Sequence, residues 1–249
     1  MNSDLSICVG ALFAAKLAEL ETDPRFVALI DGTAAIRDYE RFLENVARTH
    51  LRSPQLVAFL YALAPPAARD HLLDNVLEEL GLDGPAPGER GVAHPVLLRE
   101  LLINAGLGAR LPALEAEADQ ELRRVVMEPL VFGTLRDVGL AALGEIVAFE
   151  YMLSRTAGSV ARALTTHLGL GLPALAWFTH HAEVDRAHAD QGMAAVLAYV
   201  GYYHMPQEDA LTLLELALRP NPFLKRYFAP QGGSGILAEG RRTGAGARS

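Results

Sequence analysis

Cysteine is nearly missing. Cys8 is the only one in 249 residues, so no intrachain disulfide can form, and a reducing compartment is the expected setting. Positive charge is in deficit: 22 Lys and Arg against 30 Asp and Glu leave a net charge of −8. No basic cluster stands out, which argues against nucleic acid or an anionic membrane surface as a partner. No run of about 18 apolar residues occurs, so no transmembrane helix is expected. The N-terminus has Asp4 and no basic residue ahead of its apolar run, and Lys16 closes that run early, which makes a poor signal peptide. The expected location is cytoplasmic. Strand-like alternation, fixed-period repeats and a flavin or dinucleotide fingerprint are also missing.

What remains is helical. Half of the chain is apolar (51%), enough for a substantial core. Proline and glycine punctuate 3.6-residue periodicity. Helices are expected over 4–21, from Ile36 to a kink at Ser53-Pro54, over 55–63, over 67–82 with a stop at Gly81, and from His94 to Gly106. Further helices are expected from Pro112 to Glu128, then after a break at Pro129 from Leu130 to His167, and then from Pro173 to Val200, 206–218 and 222–228. Residues 25–35 are ambiguous, 83–91 read as a loop, and 231–249 read as a disordered tail. The expectation is an all-α bundle of eight or nine helices in one domain, residues 1–230.

One stretch concentrates chemistry. In Trp177-Phe-Thr-His-His-Ala-Glu-Val-Asp-Arg-Ala-His188, the residues His181, Asp185 and His188 stand at i, i+4 and i+7. On a helix they fall within roughly 60° of one another. Ala174, Trp177, Gly192, Ala195 and Tyr199 share that face, so it should turn inward. Three ionisable groups on a buried face are costly unless paired or bound to metal. Two imidazoles and a carboxylate suit non-haem Fe(II); a hydrogen-bonded His–Asp–His network is the other arrangement that satisfies them.

Partners for such a metal would project from facing helices. Glu150 lies on a stripe with Leu143, Val147, Ser154 and Ala157, whereas Glu145 is turned about 140° away and reads as a surface charge near Arg155. Glu79 shares a face with Leu72 and Val76. Glu78 lies with Asp74 and His71 on a face that reads as solvated. His94 follows the loop after Glu79, and the two bracket it. His50 is a weaker candidate in the second helix. Glu44, His167, His180 and His204 have no supporting pattern and are assigned to surface or packing. Trp177, one turn before His181, is expected to wall a substrate cavity. Phe149 and Tyr151 flank Glu150 but point elsewhere by phase and read as packing. Arg48 and Arg52 read as solvated.

The order Asn75-Val-Leu-Glu-Glu-Leu-Gly81, His94, Glu150, His181-x-x-x-Asp185-x-x-His188 resembles the haem-oxygenase-like diiron oxidases, also called iron-containing redox enzymes. The match covers roughly residues 36–205, and the last motif is its specific part. The resemblance implies a haem-oxygenase-like helical bundle with Glu79, His94, Glu150, His181, Asp185 and His188 as metal ligands. It implies two Fe(II) per chain with dioxygen as co-substrate. It also implies oxidation of an amino-acid- or fatty-acid-like small molecule by N-oxygenation, C–C cleavage or desaturation, within natural-product biosynthesis. Repeated turnover then requires an external electron donor, and a homodimer is allowed. Two departures stand out: the loop before His94 is longer than usual, and Glu44 is the nearest residue to the early-helix carboxylate that some members use.

Three rivals stay open. Cofactorless or thiamin-degrading relatives share the fold, but the thiamin-degrading type needs a core cysteine and Cys8 is poorly placed. A true haem oxygenase takes its axial His from the first helix, and no His precedes His50. A non-enzymatic helical metal-binding or interaction protein would use the same stripe structurally.

Overall fold

The computed structural model describes the backbone of residues 2–84 and 90–230; the side chains of residues 2–3, 126–132 and 183–189 lie outside the described part. Among the described residues every regular element is helical. The α-helices are α1 (Asn2–Thr22), α2 (Pro24–Asp31), α3 (Ile36–His50), α4 (Ser53–Leu63), α5 (Pro66–Glu79), α6 (His94–Asn104), α7 (Leu111–Phe132), α8 (Leu135–Leu168), α9 (Ala176–Tyr202), α10 (Gln207–Ala217) and α11 (Pro222–Tyr227).

Local sequence explains most boundaries. Asp23 caps α2 by accepting from Arg25 N, with Pro24 in the first turn, so the ambiguous 25–35 stretch opens as a helix. Thr134 caps α8 through Asp137 N at 3.2 Å. That cap corrects the expected break: α7 runs on through Pro129 to Phe132, and the chain turns at Gly133–Thr134 instead. A capped restart outweighs a proline as a boundary signal here. Pro173 opens a 3-10 turn, Leu172–Leu175, and α9 begins only at Ala176. The tail 231–249 lies outside the described residues.

Gly81 sets the path by which the chain returns after α5. It stops that helix with φ +64°, and a Cβ on it would lie 2.6 Å from Ala93 N. Only glycine lets the returning chain cross the end of α5 that closely. That crossing delivers His94 to the first position of α6.

The buried side chains form two clusters. One joins the end of α1, α2, α3, α6, α7, the C-terminal half of α8, the start of α9, and α11, around Trp177, Phe42, Phe149 and Tyr227. The other joins α1, α4, α5, the N-terminal half of α8, the end of α9, and α10, around Phe13, Leu143, Val147 and Tyr199. Helix α8 runs through both and packs along α9 more extensively than any other described pair. Tyr151 touches both clusters.

Candidate metal centre

The end of α5 presents Glu79, 6% exposed. Its Oε2 accepts from Ser53 Oγ at 2.5 Å, and its Oε1 lies 3.3 Å from His94 Nδ1. The residues that bracket the loop therefore meet, as the sequence suggested. His94 is itself buried, and its ring lies 4.7 Å from that of His181 on α9.

His181 is held from behind. Its Nδ1 is 2.6 Å from the carbonyl oxygen of Trp177, one turn earlier. A carbonyl only accepts, so Nδ1 carries the proton and Nε2 keeps the lone pair a metal needs. Burial, together with the neighbouring His94, holds the His181 imidazole well below the usual histidine range and therefore neutral. Trp177 corrects an expectation. It is fully buried, lies tilted with its ring 4.1 Å from that of His181 and 5.0 Å from that of His50, and is not among the cavity-lining residues. Its position i−4 from His181 makes it a support behind the imidazole, not a wall.

On α8, Glu150 Oε1 accepts from Asn75 Nδ2 at 2.7 Å. Asn75 stands one turn before Glu79 on α5, so one helix face both carries a carboxylate and aims another. Glu79, His94, Glu150 and His181 thus reach one cavity from α5, α6, α8 and α9. Its enclosed free volume is about 40 Å³, room for ions and a few waters. The remaining wall is mostly apolar, from Leu56, Val57, Ile146, Phe149 and Leu153. Phe149 was expected to point away; it lines the cavity while also stacking on Phe223. The side chains of Asp185 and His188 lie outside the described residues. Their backbone continues α9, four and seven positions after His181.

His50, at the end of α3, also lines the cavity. Its Nε2 is 2.7 Å from Tyr227 Oη. Burial first, then the charges of Arg226 and His94, keep it well below the usual range and neutral. Nothing near His50 in the sequence announces this, since its partner Tyr227 is 177 residues away.

Three other expectations need correction. Glu145 is no free surface charge near Arg155: Arg226 and Lys225 both donate to its Oε1, at 2.8 and 3.2 Å. Burial alone would raise its pKa, but those two cations together carry it below the ordinary carboxylate value. Arg155 instead stacks on Tyr151. Glu78 is half-buried, and with His94 and His180 it offers three ligand atoms within 4.8 Å of one another. Glu78, placed on a face read as solvated, and His180, assigned to surface or packing, therefore converge with His94, while Asp74 on that same face is exposed as expected. Glu44 pairs with Arg110, Arg48 with Glu117 and Arg52 with Asp119; none of the six lines the cavity. Cys8 is exposed on α1.

The donors suit a cation. Glu79 is buried, and among the described residues its only basic contact is an imidazole. Carboxylates and neutral imidazoles enclosed together are stabilised by a positive ion between them. The iron-containing redox enzyme family matches residues 40–218. The chain belongs to that family. It is therefore an oxidoreductase of a haem-oxygenase-like helical fold, and iron is the cation its donors fit. No curated protein matches the chain. Among the described residues no helix is long and apolar enough to cross a membrane.

Proposed function

We propose that this protein is a non-haem diiron oxidase that uses dioxygen to oxidise a small amino-acid- or fatty-acid-like substrate, by N-oxygenation, C–C cleavage or desaturation, in natural-product biosynthesis. The observation that carries the proposal is the arrival of Glu79, His94, Glu150 and His181 from four helices at one cavity. Asp185 and His188 complete the proposed set on the sequence pattern of α9. When bound, two Fe(II) supply the electrons that reduce dioxygen, and an external donor restores them.

The chain's own residues prepare that chemistry. Trp177 O and Ser53 Oγ fix the His181 tautomer and one Glu79 oxygen. Asn75 fixes Glu150. Leu56, Val57, Ile146 and Leu153 exclude water and give a substrate an apolar bed. Arg226, buried at the same cavity, is held by its pairing with Glu145 and closes the wall on that side.

Iron content after anaerobic reconstitution, combined with oxygen uptake against a panel of amino acids and fatty acids, tests the proposal. About two irons per chain are expected, falling in His181→Ala and Glu150→Gln with the helical fold retained by circular dichroism. An unchanged iron content in both variants, or no iron in the wild type, overturns it.

A further inference from the structure

We propose that Glu78, His94 and His180 form a second, outer divalent-metal position that draws on the same His94 as the cavity set. The inference rests on reading the cavity as a metal centre and extends it to residues that do not line the cavity. Glu78 and Glu79 are neighbours on α5, and His180 and His181 are neighbours on α9. Consecutive helical residues point about 100° apart, so each doubled pair offers one donor inward and one to the side.

His94 stands at both fronts. Glu79 Oε1 lies 3.3 Å from its Nδ1, and the His181 ring is 4.7 Å away. The His180 ring is 5.0 Å away in an edge-on arrangement, and one ligand atom each from Glu78, His94 and His180 falls within a common 4.8 Å. Glu78 and His180 are only half-buried as residues, yet Glu78 Oε2 and His180 Nε2 are buried atoms. Both side chains turn these polar ends inward.

One carboxylate and two imidazoles from three helices suit a borderline divalent ion, with room for water as further ligands. A neutral imidazole has a single lone pair. An ion on Glu78 and His180 therefore binds His94 only when the cavity set does not. The outer position is a competing one, and excess metal shifts His94 towards it.

Full-length metal-free protein titrated with Co2+, followed by equilibrium dialysis and visible absorption, tests this. In the His181→Ala background, which keeps all three outer donors, one Co2+ per chain is expected to remain. Adding Glu78→Gln or His180→Gln should weaken that ion by more than about tenfold, the least that loss of even a supporting partner tends to cost a metal site. Circular dichroism confirms that each variant folds. The proposal is overturned if the remaining ion ignores both substitutions, or if His181→Ala retains none. Should Co2+ binding respond to Glu150→Gln and His181→Ala but not to Glu78→Gln or His180→Gln, the outer position falls and the cavity reading stands. A wild type that takes up no Co2+ removes both.

Discussion

Gly192 is buried where α9 crosses α8. A Cβ on it would lie 2.8 Å from both Cγ1 and Cγ2 of Val147, where ordinary contact begins near 3.4 Å. Each methyl would intrude by roughly 0.6 Å, the difference between those distances. A helical valine strongly prefers one rotamer and cannot turn both methyls away, so the helices must separate. Helix propensity alone favours alanine by about 0.8–1.0 kcal/mol, while overpacking costs about 1–3 kcal/mol. Gly192→Ala should therefore lose about 1 kcal/mol net, read from urea midpoints of the metal-free protein. Val147→Ala deletes two buried methyls and should cost on the order of 1.6 kcal/mol at about 0.8 per group. Combining the two removes the whole overpacking cost and leaves the propensity gain, so the double variant should be more stable than additivity predicts by about 2 kcal/mol. The site should respond as well. Glu150 follows Val147 by three residues, and His181 precedes Gly192 on the same helix. Widening α8 from α9 parts the two donors, and such sites tolerate only about 0.5 Å. Gly192→Ala should thus bind Co2+ more weakly than the wild type, with partial recovery in the double variant. A Gly192→Ala protein that is more stable than the wild type, additive with Val147→Ala and unaltered in metal binding refutes the reasoning.

Two further expectations concern the supports of the site. Asn75→Ala should lower metal affinity by about 10–100-fold through the freed Glu150, measured by competition with a chelator; unchanged affinity would show that the Asn75 contact does no positioning. Glu145 carries the pH prediction. Its native pKa is depressed, so the unfolded chain binds the extra proton, and its contribution is present above the unfolded value and lost as pH falls through the folded one. Glu145→Gln should flatten that part of the acid limb in urea midpoints taken below about pH 5, and should lower stability at neutral pH because Arg226 and Lys225 lose their shared acceptor.

Much of the helical order was legible because proline, glycine and periodicity mark it. The phase of α8 correctly set Glu150 on the inner stripe, and the phase of α5 correctly preferred Glu79 beside Leu72. Both choices relied on a helix having one buried face. The same assumption failed at Glu78 and His180. The start of α6 covers the end of α5 and meets α9, so two adjacent faces are enclosed there. Glu145 failed for a different reason: its partners stand 80 and 81 residues later on a six-residue helix, and no local pattern links them. Trp177 was correctly read as buried, but a helical wheel does not distinguish the front of an imidazole from its back.

The position of Glu79 argues for a cation independently of the family. It is the last residue of α5, where the helix dipole opposes a carboxylate. Burial makes that placement worse; Ser53 donates to one carboxylate oxygen, and the His94 ring stands 3.3 Å from the other. A carboxylate kept there destabilises the metal-free fold and becomes favourable once an ion neutralises it. Glu79→Gln should therefore raise the stability of the metal-free protein while reducing the gain on adding metal. For an ion at about 100 times its dissociation constant that gain is about 2.7 kcal/mol in the wild type. Thermal or urea unfolding of both proteins, with and without Co2+, measures the two differences. Equal gains in wild type and Glu79→Gln would mean that Glu79 is held by Ser53 and His94 for packing alone, and that the ion binds elsewhere.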